Sequence, residues 1–165
     1  MTPARGGVAK PAALALLVAI VASAAGGLAT DIGPWYQALA KPTWQPPDWL
    51  FGPVWTTIYA LGVVAATLAW RHAPDRAARR RLLVAFAVNL LFNFGWSVLF
   101  FRFQRPDLAL YEIGLLWLSI VALVVIIWPW SRLGAVLLLP YLGWVGFAAW
   151  LNFTIVQLNG PFAGR

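Results

Sequence analysis

The chain has 165 residues, 62% of them hydrophobic and only 10% charged, with a formal net charge of +7 and no cysteine. A soluble domain carries about 25% charged residues, and a single core of this size could not hide so much apolar surface, so a soluble fold is excluded and a lipid-embedded one expected. The missing cysteines exclude disulfides and thiolate chemistry, and the basic residues stand between apolar runs, where they meet lipid headgroups instead of forming a face for nucleic acid.

A spanning helix takes about 20 mostly apolar residues, and five stretches meet that requirement: 11–30, 53–70, 82–101, 108–128 and 133–157. None alternates with period two over a barrel-strand length, so helices are favoured. The expected fold is an all-α integral membrane protein, a five-transmembrane-helix bundle forming a single membrane domain over 1–165. In the first stretch, Arg5 and Lys10 precede the apolar run, and Ala22-Ser23-Ala24 resembles a signal-peptidase site. The run is longer than a signal-peptide core, which favours a retained span.

Between the first two stretches lies a Pro/Trp-rich loop, 31–52, holding Pro34, Pro42, Pro46 and Pro47 with Trp35, Trp44 and Trp49 among them. A long loop rich in indoles is functional more often than disordered. Two readings stand: an aromatic belt at the membrane surface, or a lid formed by Trp35, Trp44 and Trp49 over the outer end of the bundle.

After the second stretch come Arg71, Arg76, Arg79, Arg80 and Arg81, the densest basic segment. Placing it in the cytoplasm puts Arg5, Lys10 and Arg132 inside as well, eight basic residues, and leaves Lys41, Arg102, Arg105 and Arg165 outside, four. His72 sits in this basic segment without a His/Asp/Glu cluster to join, so no metal site is expected.

Polar groups inside hydrocarbon are costly and turn toward the bundle interior. In the third stretch, Asn89, Asn93, Trp96 and Phe100 recur at helical spacing and share a face; in the fifth, Tyr141, Trp144, Ala148 and Asn152 do the same. Trp55, Tyr59 and Gly62 form a compatible face on the second, and Pro140 is expected to bend the fifth. A cavity walled by indoles and touched by amides suits a large, flat, mostly apolar ligand. The alternative for Asn89 and Asn93 is interhelical bonding alone. There is no Gly-rich phosphate loop, no Ser/His/Asp set and no H-E-x-x-H, and Glu112, near the outer start of the fourth stretch, has no carboxylate partner in view.

Four segments together resemble the TspO/MBR family, the tryptophan-rich sensory proteins related to the translocator protein (peripheral benzodiazepine receptor). They are W-Y-Q-A-L-A-K-P-T-W-Q-P-P-D-W at 35–49, G-P-V-W-T-T-I-Y at 52–59, N-L-L-F-N-F-G-W-S-V-L-F-F at 89–101 and L-L-P-Y-L-G-W-V-G-F-A-A-W-L-N at 138–152. The resemblance spans essentially the whole chain, in order and spacing, and is of the bacterial type. It implies a five-helix bundle, often a homodimer, whose first loop caps a pocket for protoporphyrin IX and haem-type tetrapyrroles, sterols, and benzodiazepine or isoquinoline-carboxamide drugs. Trp55 and Trp144 match tryptophans lining the porphyrin pocket and implicated in porphyrin photodegradation; Asn93, Trp96 and Ala148 match other pocket positions. Glu112 stands where the family has an Asp. The vertebrate sterol motif is not matched: Phe153 replaces its Tyr, and Val156-Gln157 offer no basic residue.

The functional expectation is a multi-pass membrane protein that binds tetrapyrroles in order to sense, regulate or pass them on, with ligand contacts from Trp55, Tyr59, Asn93, Trp96, Phe100, Trp144, Ala148 and Asn152. Membrane lipid is its surround and a homodimer its expected assembly. No cofactor is required, since the porphyrin enters as ligand, and no metal or nucleic acid is implied. The competing readings are transmembrane transport of tetrapyrroles or sterol-like lipids, and light- and oxygen-dependent degradation of protoporphyrin IX, in which Trp55 and Trp144 would be the reacting side chains. Which membrane holds the chain, inner or outer, is left open.

Overall fold

A computed structural model describes residues 26–162, together with Ala13, Leu16, Leu17 and Ile20. Most of the first expected span lies outside the described residues, as do Arg5, Lys10, Ala22-Ser23-Ala24 and Arg165; the four isolated residues and 26–29 are helical. Among the described residues the chain is helical without strands. Its elements are α1 (Pro34–Ala38), α2 (Asp48–His72), α3 (Arg76–Ser97) running into a π-turn (Val98–Arg102), α4 (Pro106–Ile127), α5 (Arg132–Val136) and α6 (Leu139–Asn159). Among the described residues, four spans are long and apolar enough to cross a membrane: Asp48–His72, Arg76–Arg102, Pro106–Ile127 and Arg132–Asn159.

The ends of these helices follow local chemistry. Asp75 caps α3, its carboxylate accepting from the Ala78 N–H at 2.7 Å, and Ser131 caps α5 by accepting from the Gly134 N–H at 3.1 Å. Pro106 opens α4 in the first turn, where its missing donor costs nothing. α2 begins at Asp48, five residues before the Pro53 expected from the sequence, and α1 occupies part of what was read as irregular loop. Asp48 supplies a negative charge to the first turn of α2, and Pro53 is carried inside the helix. The Thr56 and Thr57 hydroxyls donate to the carbonyls of Gly52 and Pro53, each at 2.9 Å.

α4 is the central staff. Its buried residues Pro106, Ala109, Ile113, Leu116, Ile120, Leu123 and Ile127 recur every three or four positions, and this stripe packs against α3 on one side and α6 on the other. α2 meets α5 and touches α3 only briefly. The close approach of α2 and α5 depends on Gly134, where a Cβ would lie 3.2 Å from the Ala65 carbonyl oxygen and 3.3 Å from Ile127. Lipid is as apolar as leucine, so burial drives little association here; close van der Waals fit and interhelical hydrogen bonds hold such a bundle. Ala65, Ala69 and Ala135, all fully buried around this contact, fit that requirement. Leu83, Val84, Leu91, Leu118, Val125 and Trp150 point outward, as lipid-facing side chains do.

The fifth expected helix is interrupted. Pro140 lies in the first turn of α6, and Leu137 and Leu138 form a tight turn in which the Leu138 N–H donates to the Ala135 carbonyl at 3.1 Å. Pro140 cannot return a hydrogen bond to the preceding turn, so the helix is pinched just before it.

Candidate functional site

The first half of α2, the C-terminal end of α3 with its π-turn, and α6 from Trp144 to Ile155 face one another at the end of the bundle away from the Arg-rich α2–α3 turn. They enclose a cavity of about 430 Å³. That volume falls within the range of small-molecule sites, about 300–1,000 Å³. Trp55 and Tyr59 of α2, Asn93, Trp96 and Phe100 of α3 and its π-turn, and Trp144, Ala148 and Asn152 of α6 all line it, so the structure brings the eight candidate residues together around one space. Gly26, Gly27, Thr30 and Ile32 contribute a further part of the wall.

The aromatic lining is ordered by ring-to-ring contacts. Trp55 stacks on Tyr59 with centroids 5.6 Å apart, Phe51 meets Trp144 edge-on at 5.6 Å, and Trp96 tilts over Phe100 at 5.2 Å. The π-turn has a direct effect on this wall. The Phe103 N–H donates to the Val98 carbonyl at 2.9 Å, five residues back. The widened turn buries two successive rings, Phe100 and Phe101, and both line the cavity. π-turns of this kind recur at functional sites.

A file of hydrogen bonds runs beneath the cavity through four helices. The Tyr59 hydroxyl donates to Asn93 Oδ1 at 2.9 Å, and Asn93 Nδ2 donates to the Tyr141 hydroxyl at 3.1 Å. Tyr141 donates to Asn89 Oδ1 at 3.3 Å, Asn89 Nδ2 to Ser119 Oγ at 2.8 Å, and Ser119 to the Leu116 carbonyl at 2.6 Å. The two readings of the asparagines therefore separate. Asn89 bonds between helices and does not line the cavity, whereas Asn93 does both. Asn152, 1% exposed, accepts from Trp96 Nε1 at 3.1 Å and donates to the Pro106 carbonyl at 2.8 Å. It locks the Trp96 indole against α4.

Among the described residues, three side chains hold buried polar atoms without a partner: Gln45 at Oε1, Glu112 and Trp144. Trp144 Nε1, in the cavity wall, is a donor without an acceptor. Both oxygens of Glu112 are likewise unpaired, one of them 3.5 Å from where a Cβ on Gly95 would stand, so this carboxyl fills the space the glycine leaves. Glu112 does not line the cavity.

At the rim, Tyr36 of α1 is buried and donates to Asp48 Oδ1 at 3.2 Å; Gln45 Nε2 donates to the Tyr36 oxygen at 3.2 Å and to Asp48 Oδ1 at 3.3 Å. Burial, then the charge of Asp48 and its hydrogen bond, push the Tyr36 phenol up to about 12, with Gln45 acting the other way. Lys41 Nζ lies 4.1 Å from the Tyr36 ring centroid. A second fastening ties this segment to the end of α6: the Ala40 N–H donates to Asn159 Oδ1 at 2.8 Å, and Asn159 Nδ2 donates back to the Ala40 carbonyl at 2.9 Å.

The three tryptophans assigned to the lid do not line the cavity. Trp35 packs edge-on against Phe100 at 6.1 Å, Trp44 against Phe147 at 5.9 Å, and Trp49 is 71% exposed. The segment reaches the cavity instead through Ile32, Tyr36 and Asp48. Trp150, also on α6, stacks on Phe153 away from the cavity at 5.8 Å. Tyr36, Asp48, Phe51, Ser97 and Phe101 line the wall without having been singled out from the sequence. The i−4 spacing of Phe51 from Trp55 was the available signal; the π-turn that turns Phe101 inward has none.

The TspO/MBR family pattern matches residues 13–158. A protein of Chlorobaculum tepidum named tryptophan-rich protein TspO is 44% identical over 130 residues, covering 76% of this chain and 79% of that one. The protein named CrtK of Rhodobacter capsulatus is 34% identical, covering 86% of this chain and 89% of its own. The human translocator protein is 32% identical over 131 residues, covering 79% of this chain and 78% of its own.

Proposed function

The chain belongs to the TspO/MBR family, and on that footing we propose that it is a membrane receptor for a flat, largely apolar ligand of the tetrapyrrole class, protoporphyrin IX or a haem-type porphyrin, which it binds in order to sense or hand on. In this reading the first span, 11–30, completes a five-helix bundle, and the segment 31–47 acts as the lid, held down by Tyr36 and by Asn159. The helical state of Ala13, Leu16, Leu17, Ile20 and 26–29 supports that fifth span.

The observation that carries the proposal is the wall itself. Trp55, Trp96 and Trp144 with Phe51, Phe100 and Phe101 surround one space. Aromatic walls bind an extended π-system by stacking and edge contacts. The same wall leaves flat heterocyclic drugs within the chemistry of the site.

Titrating the detergent-solubilised chain with protoporphyrin IX tests the proposal. Saturable quenching of tryptophan fluorescence is expected, weakened about tenfold or more in the Trp55→Ala/Trp144→Ala double variant, in line with the loss of two buried aromatic contacts. Unchanged fluorescence, or equal binding by the double variant, would overturn it.

A further inference from the structure

The cavity is apolar in its depth and acidic at its mouth. Among the described residues, Asp48 is the only carboxylate in the wall, and no Lys, Arg or His lines it. Both donors that hold the Asp48 carboxylate, the Tyr36 hydroxyl and the Gln45 amide, are neutral. Its negative charge is therefore held in place at the rim and is not cancelled by a cation bonded to it. The nearby ammonium, Lys41, is engaged over the Tyr36 ring at 4.1 Å.

This arrangement constrains how a ligand with acid groups can sit. Inside the cavity such a group would be a buried, unpaired charge, which is prohibitive. Acid groups must stay at the mouth, and there they meet Asp48. Like charges set side by side discriminate strongly between partners. A ligand whose edge is neutral meets no such penalty.

We propose that Asp48 is a specificity-determining residue: by holding an uncancelled carboxylate at the mouth of an otherwise uncharged aromatic cavity, it favours flat ligands with a neutral or cationic edge over those that carry free carboxylates. Lys41 works in the opposite sense, offering acid groups the one favourable approach. The inference rests on the tetrapyrrole reading above and ranks ligands within it: free-acid porphyrins bind, but less tightly than flat ligands of the same size whose edge is neutral.

The test compares protoporphyrin IX with its dimethyl ester, binding to the full chain in a non-ionic detergent. The wild type is expected to bind the ester more tightly. Asp48→Asn keeps the acceptor for Tyr36 while removing the charge; it is expected to tighten binding of the free acid about tenfold, the size of one screened like-charge contact, and to change the ester's affinity far less. Raising the salt concentration is expected to narrow the gap in the wild type alone, and Lys41→Gln to widen it. An acid-to-ester affinity ratio that is the same in wild type and Asp48→Asn overturns the inference while leaving the receptor reading intact. Should Asp48→Asn fail to fold, a wild-type ratio insensitive to salt and to Lys41→Gln overturns it equally. If neither compound binds the wild type, the receptor reading falls, and this inference with it.

Discussion

Tyr59, Asn93, Tyr141, Asn89 and Ser119 form an unbroken donor-to-acceptor file in which each side chain satisfies the next. Such a file suits a membrane interior, where a broken link has no water to turn to. Its members differ in one respect that can be measured. Asn89 is buried below the cavity, whereas Asn93 is part of its wall. Asn89→Ala is expected to lower stability by about 1–2 kcal/mol, the upper range for interhelical bonds in membranes, and to leave porphyrin affinity unchanged. Asn93→Ala is expected to lower both. Thermal unfolding in detergent, read beside the titration, separates the two; a loss of affinity in Asn89→Ala as large as in Asn93→Ala would erase the distinction. At this scale the sequence was informative, because amides and aromatics at helical spacing in an apolar run have few places to point. It could not divide bonding asparagines from lining ones, since that depends on which partner helix stands opposite.

The elements show where regular spacing fails. A uniform α-helix through 89–101 places Phe100 on the inner face and turns Phe101 away; the π-turn at Val98–Arg102 brings both inward. The start of α2 at Asp48 directly follows Pro47, and the break between α5 and α6 comes just before Pro140. Gly134 is a position where one element governs another, since a Cβ there would press on the Ala65 carbonyl of α2 as well as on Ile127 and Ser131. Backbone on one side leaves the added methyl nowhere to go. Gly134→Ala is expected to cost about 1–3 kcal/mol of stability, seen as a lower unfolding midpoint. Porphyrin affinity should hold, because this contact lies at the end of the bundle remote from the cavity. An unaltered midpoint would mean that the α2–α5 approach is looser than its geometry indicates.

Across the whole molecule, aromatic and charged residues are divided between two ends. The cavity, Asp48 and Lys41 occupy one, and Arg71, Arg76, Arg79, Arg80 and Arg81 the other, where Arg79 lies over Trp70 at 5.3 Å and Arg81 over Trp130 at 6.0 Å. Short basic segments stay on the cytoplasmic side, so the cavity is expected to open on the opposite face. The natural absence of cysteine makes this testable with single reporters. In intact cells or right-side-out vesicles, an impermeant maleimide should label Thr43→Cys directly and Arg76→Cys only after lysis. The reverse pattern would invert the orientation, and labelling of both from one side would refute α2 as the span between them.

The sequence alone determined that the chain is a helical membrane protein of the TspO/MBR family, and it placed the polar and aromatic residues of three helices on shared faces. Hydrophobic length and helical periodicity are local properties, readable without knowing what lies opposite. The tertiary structure decided the rest. It turned Phe101 and Tyr36 inward, moved the lid tryptophans off the cavity, left the Trp144 N–H unpaired within the wall, and set Asp48 at the mouth with only neutral donors. Each of those outcomes depends on distances between segments far apart in the chain, which no local pattern encodes.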